Sequence, residues 1–329
     1  MTRYVLKRAM WVIPVMIGVI IIVFSITYFS PGDPLLVILG SDFSPDAYAQ
    51  KAAEYGLDKG YFGQLSSFFW NMITRLDLGR SYVTRIPVSS QLVDRIPITM
   101  RLSISGIILM VAIGLPLGIV SALKQYSILD AILTTLSLIL AAIPSYVLAL
   151  LAALVFGVVL RWLPVAGLMS WKSWILPVIC TSGAGIATYT RLSRTTMLEV
   201  IRQDYIRTAR AKGQKESTIV VKHALKNCMI PLTTVIGAQI ANIFSGSVII
   251  ETIFAIPGMG TYLMGGIQGR DYPIVIGCVC VISLLVCVVN MFVDVAYAFI
   301  DPRIKAQFTS SKAKDKISNK ALGGQKEAQ

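Results

Sequence analysis

Six apolar runs, each close to the thickness of a bilayer, restrict this 329-residue chain more than any other feature. They are Ala9–Phe29, Thr99–Leu123, Leu129–Val159, Trp174–Thr190, Pro231–Ile250 and Ile274–Ile300. A helix needs about 20 apolar residues to cross hydrocarbon, and Trp174–Thr190 is the shortest of the six. Backbone N–H and C=O groups find no water there, so such runs satisfy one another as helices. Composition agrees: 55% of residues are hydrophobic and 14% charged, where a soluble domain carries about 25% charged residues. The expected class is an all-α polytopic membrane protein with six transmembrane helices.

Charge fixes the expected orientation. The net charge is +13, and it sits in three places: residues 1–10, the loop 191–230 and the tail 301–329. Six crossings put all three on one side, which the positive-inside rule assigns to the cytoplasm. Both termini are therefore expected there, in a multi-pass protein of a cytoplasmic membrane. The same clustering argues against nucleic acid as the partner of the positive charge. Residues 1–30 hold the N-terminus and first span. Residues 31–98 form an outside segment with almost balanced charge, and residues 99–300 carry the remaining spans. The first run is too long for a signal peptide, and Pro31-Gly32-Asp33-Pro34 follows it in place of a cleavage site.

The outside segment reads as helical. Ser44-Pro45-Asp46 supplies an N-cap, a first-turn proline and a first-turn acid, with Gly56 as the stop. Tyr61–Met72 spaces Leu65, Phe68, Phe69 and Met72 for one helix face, which is expected to pack on the membrane surface or a neighbour. Gly114-Leu-Pro-Leu-Gly118 fits close helix approach in lipid, with a kink expected at Pro116.

Residues 204–213, Asp-Tyr-Ile-Arg-Thr-Ala-Arg-Ala-Lys-Gly, stand out in the basic loop. Asp204 is expected to cap a short helix and Gly213 to end it in a left-handed conformation. Arg207, Arg210 and Lys212 fall in its later half, where positive charge suits the helix dipole. Such a helix is either a grip for a soluble partner or simply a solvated positive loop.

Polar residues inside spans are costly and therefore informative. Gln239 and Asn242 share a face with Gly246, and Ser245 lies beside them. Together with Ser145, after Pro144, they either line a translocation path or pack between helices. Asn290 and Asp294 are read as structural, with Asp294, taken as the sole acid deep in a span, pairing with a nearby Arg or Lys. The five cysteines read as packing residues, with Cys278 and Cys280 on different sides of one helix. His223 is assigned to structure or interface. Neither a phosphate loop of the G-x-x-x-x-G-K-[ST] form nor a hydrolase motif is present, so no cofactor, metal or catalytic role is expected of the chain.

Taken in order, several motifs carry a resemblance. They are Ser30-Pro31-Gly32-Asp33-Pro34, Tyr55-Gly56-Leu57-Asp58, Asp77-Leu78-Gly79-Arg80-Ser81, Arg161-Trp162-Leu163-Pro164, the segment from Arg202 to Gly213, Phe254-Ala255-Ile256-Pro257-Gly258-Met259-Gly260 and Asp301-Pro302-Arg303. The chain resembles the permease subunits of bacterial ABC importers for dipeptides, oligopeptides and nickel, specifically the first of the two permeases, from about Tyr4 to Ile304. The tail beyond Lys305 has no counterpart and reads as disordered.

The resemblance implies a type I importer permease fold and a division of labour. A homologous second permease, two ATPase subunits that use ATP and Mg, and an extracytoplasmic binding protein would complete the machine. The segment 204–213 corresponds to that family's ATPase-coupling loop, with Asp204, Tyr205, Arg207, Thr208, Ala209, Arg210, Lys212 and Gly213 as coupling residues. Arg207-Thr208-Ala209 stand where the general importer form has Glu-Ala-Ala. Lys226 stands where a proline is expected after Leu225, with Pro231 further on. The rival class is a self-contained channel or secondary transporter, which would call for buried ion-coupling carboxylates.

Overall fold

The computed structural model describes residues 2–39 and 44–300, and every regular element among them is a helix. The tail 301–329, including the Asp301-Pro302-Arg303 landmark, lies outside the described residues. Helix α1 (Thr2–Phe29) leads to three shorter helices, α2 (Pro34–Leu39), α3 (Pro45–Tyr55) and α4 (Tyr61–Arg75). Next come α5 (Val88–Leu123), α6 (Ile128–Ala142) and α7 (Ser145–Ala152), the last running on as a π-turn to Val159. A 3₁₀ turn, Trp171–Trp174, opens α8 (Ile175–Ile201). The loop helix α9 (Asp204–Ala211) follows, then α10 (Glu216–Thr218), which passes through a π-turn into α11 (Leu225–Ile253). Helices α12 (Met259–Gln268) and α13 (Tyr272–Ile300) complete the order.

The outside helices form as their sequence dictates. Ser44 Oγ accepts the Ala47 N–H at 3.2 Å, and Gly56 closes α3 at φ 66°. Leu65, Phe68, Phe69 and Met72 of α4 pack on Ile20 and Phe24 of α1 and on Ile276 and Cys280 of α13. Asp271 ties the loop before α5 to the α12–α13 turn, accepting Ser81 Oγ at 2.5 Å and the Val83 N–H at 3.3 Å.

Helix α8 is the hub. It is 27 residues long, roughly 40 Å, and packs against α5, α6, α7 and α11. Close approach is possible because α5 presents glycines. A Cβ on Gly114 would lie 3.1 Å from Tyr189 Cβ, and one on Gly118 would lie 2.5 Å from Ser193 Cβ. The small-residue reading of Gly114 and Gly118 is thus borne out, and α5 continues as one helix through Pro116.

Two features of the spans go beyond what the sequence indicates. The run Leu129–Val159 is not one straight crossing: α6 and the α7 unit meet at 100°, where Pro144 denies the chain a further turn of helix. By length and composition four helices suffice to cross a membrane, or five if the bent pair counts as one span. Helix α8 is not among them. It buries fourteen residues against its neighbours, Ser and Thr among them, so it needs little apolar surface of its own.

Candidate functional site: the α9 loop and the open face of α11

Helix α9 is held at one end of the bundle by its apolar side. Ile206 is fully buried and Ala209 nearly so, among Met197 and Leu198 of α8 and Ile219, Val220, Ala224 and Cys228 on the way into α11. Asp204, Tyr205, Arg207, Thr208, Arg210, Lys212 and Gly213 are all exposed. The eight-residue helix therefore has one face fixed to α8 and α11 and one cationic face bare.

Its ends differ from expectation at one side only. Gln203 occupies the cap position, Asp204 is the first helical residue, and neither caps through its side chain. The Asp204 carboxylate instead lies 4.0 Å from Arg207, one turn on. Its charge still suits the helix N-terminus. Gly213 sits at φ 72°, and its N–H donates to Arg210 O at 2.9 Å, so the glycine stop is as read.

Three links that the sequence reading missed brace the loop. Arg210 forks onto Glu216, Nε to Oε2 at 3.1 Å and Nη2 to Oε1 at 2.6 Å. This pairing holds the Glu216 carboxyl below the usual glutamate range, chiefly through the hydrogen bond. Asn227 of α11 donates to the Tyr205 hydroxyl at 3.0 Å. His223 Nε2 lies 2.9 Å from Gln214 Oε1, which gives the lone histidine a structural place.

The second group of candidates lies on α11. Pro231, Ala238, Asn242, Ser245 and Ile249 are exposed along one side of it, while Ile240, Phe244 and Ser247 are buried on the other. Gln239 is half-buried and accepts from Asn242 at 3.4 Å. Ser145, half-buried, opens α7, and α7 packs on α11 through Ala149 beside Ile250 and Phe254. Asn242 is seventeen residues beyond the start of α11, roughly 25 Å along the helix from the end that packs on α9. The two groups are therefore separate surfaces joined by one helix.

Acids deep in the bundle also need correcting. Asp294 pairs with Arg8 at 2.9 Å, as read, and Asn290 Oδ1 lies against Gly237 of α11. Asp294 is not alone. Asp130 and Glu251 are buried, Asp130 with both oxygens bonded and Glu251 held through Oε2 while its buried Oε1 has no hydrogen-bond partner. Asp130 binds Arg194, Ser121 and the Tyr126 N–H. Glu251 Oε2 accepts the Gly260 N–H at 2.6 Å, in space left by Gly258 and Gly260. That glycine pair after Pro257 was the available signal. Cys278 and Cys280 pack in different apolar clusters, as expected.

The chain belongs to the family of binding-protein-dependent transport system inner membrane components, matching its main region over residues 114–306 and its N-terminal region over 1–103. It is a permease subunit of the ABC-importer class and an integral protein of the inner membrane. It is 36% identical to a dipeptide transport system permease protein, DppB, of Alkalihalophilus pseudofirmus, over 93% of this chain and 100% of that one. It is 34% identical to the Escherichia coli K12 protein of the same name, over 93% and 99%. A putative peptide transport system permease of Brucella abortus is 37% identical over 93% and 99%. In fold it resembles a chain of the inward-facing MetNI methionine ABC transporter, at a TM-score of 0.56 and 18% identity, over 65% of this chain and 97% of that one.

Proposed function

We propose that this chain is one of two membrane subunits of a peptide importer and that α9 receives the push of a partner ATPase. The observation that carries this reading is the division of α9: Ile206 and Ala209 buried in the bundle, the Arg207 face bare. A helix pinned by one side and cationic on the other transmits displacement to α8 and α11 instead of absorbing it. ATP and Mg are used by the ATPase subunits, and a homologous second permease covers the exposed side of α11. Gln239, Asn242, Ser245 and Ser145 then border the path between the two permeases. An extracytoplasmic binding protein delivers the peptide. Six crossings, counting α8 and the bent α6–α7 unit, place both termini and α9 in the cytoplasm.

Peptide as cargo rests on the relatives' names, and no observation in the fold favours nickel. Reconstitution with the second permease, both ATPases and the binding protein tests the reading. ATP-dependent accumulation of a labelled dipeptide or short oligopeptide is the expected result. Accumulation of another solute class, with no peptide uptake, overturns the cargo. The coupling role is tested separately by cross-linking an Arg207→Cys variant to single-cysteine ATPase subunits, and absence of any such link in an active complex overturns it.

A further inference from the structure

We propose that α4 lies in the outer membrane–water interface and that its free apolar face is covered by lipid. The helix has three sides. Leu65, Phe68, Phe69 and Met72 face α1 and α13. Gln64, Asn71 and Arg75 form a polar side. Phe62, Trp70 and Ile73 form a third side, exposed at 80%, 68% and 70% and apolar except for the exposed Ser66 among them. At about 100° per residue, Phe62 and Ile73 are roughly 20° apart and Asn71 is on the opposite side. A helix facing protein, water and nothing else has no use for that third side.

Continuity identifies what covers it. Helix α1 turns Ile22, Ile26 and Phe29 outward, and these are exposed at 60%, 65% and 73%. In a membrane-spanning helix such residues meet acyl chains. Phe29 stacks on Tyr61 at 5.6 Å, and Tyr61 meets Phe62 edge-on at 5.1 Å. The Tyr61 hydroxyl is also 2.7 Å from Ser25 Oγ, which fixes the start of α4 to the side of α1. The apolar surface of α1 therefore continues onto the first turn of α4, and lipid that covers one reaches the other. Aromatic residues favour this depth, and the exposed Lys59 and Arg75 at the two ends can reach phosphate groups. The orientation proposed above decides only which leaflet is meant; lipid contact itself does not depend on it.

The test uses the assembled complex in vesicles of phosphatidylethanolamine and phosphatidylglycerol, without binding protein. Phe62, Ile73 and Asn71 are replaced singly by the photoreactive residue p-benzoylphenylalanine, irradiated, and the adducts identified by mass spectrometry. Lipid adducts at positions 62 and 73 should exceed those at 71 by about tenfold, equivalent to a burial preference of about 1.4 kcal/mol. Protein cross-links at 62 and 73, to the second permease or to another copy of this chain, would overturn the proposal. So would equal adduct yields at all three positions. Repeating the irradiation with binding protein present shows whether that partner displaces the lipid; cross-links that replace lipid adducts only then leave the proposal standing for the free complex.

Discussion

Asp130 takes one edge of the Arg194 guanidinium in a two-point grip, Nε to Oδ1 at 2.7 Å and Nη2 to Oδ2 at 2.8 Å, across 64 residues of sequence. The carboxylate also accepts Ser121 Oγ at 2.5 Å and the Tyr126 N–H at 3.0 Å. It joins the end of α5 and the start of α6 to the last turns of α8, ten residues before α9. Bidentate, charge-assisted pairs of this kind are geometrically specific. Asp130→Ala leaves Arg194 without its partner in a place where Asp130 is 6% exposed, and should cost about 2–4 kcal/mol of stability. Thermal unfolding of the purified complex measures it. The exchange Asp130→Arg with Arg194→Asp should recover part of the loss, and failure of any exchange to do so would assign the effect to packing.

Gly213 is expected to be intolerant of proline. Its φ of 72° is closed to the pyrrolidine ring, and its N–H is used. Gly213→Pro should insert normally yet abolish uptake, and Arg207→Glu should do the same by reversing the bare face of α9. Gly213→Ala, at a strain of about 1–2 kcal/mol, should retain partial transport. Uptake and stimulated ATP hydrolysis, compared at equal membrane levels, decide the matter; normal values for the proline variant would remove α9 from the coupling route.

Glycines at close contacts and glycines in open space should respond oppositely to alanine. Gly118→Ala places a methyl group 2.5 Å from Ser193 Cβ and should destabilise by about 1–3 kcal/mol. Gly265, inside α12, has nothing within 4 Å of a built Cβ, so alanine there should be neutral or stabilising by about 0.5–1 kcal/mol. Paired melting curves in the same detergent check the contrast.

Glu251 is expected to serve as an anchor for α12. Glu251→Ala removes the acceptor of the buried Gly260 N–H and should cost about 1–3 kcal/mol, with Gln retaining much of the function. Hydrogen exchange at Gly260 reports the loss directly.

The Arg210–Glu216 brace gives a weak pH dependence of known sign. The folded-state value of Glu216 is depressed, so its contribution is present at neutral pH and is lost as pH falls through that lowered value. Both groups are substantially exposed, so the effect should stay below about 1 kcal/mol. Protection factors in α9, which are exchange rates corrected for the intrinsic pH dependence of amide exchange, should be flat between neutral pH and the usual glutamate range, and fall only below it.

Much of this was legible in the sequence because it rests on local rules. Gly56 and Gly213 terminate helices at positive φ, and Gly114 and Gly118 admit a neighbour, as their spacing indicates. The misreadings have physical causes too. Leu129–Val159 is mostly apolar, and hydropathy carries no information about direction, so the bend at Pro144 was not visible in it. Asp204 and Gln203 differ by a single register step, below what capping preferences resolve. Asp130 and Arg194 are too far apart in sequence for any local pattern to pair them, and Glu251 lies one residue past the run that ended at Ile250.

The glycine seam between α5 and α8 has one more consequence. Two helices in such intimate register, and clamped again at Asp130, form a single stiff girder, so they have little freedom to slide past each other. Any widening of the bundle during a work cycle must then take place elsewhere, and the uncovered flank of α11 offers the natural parting line.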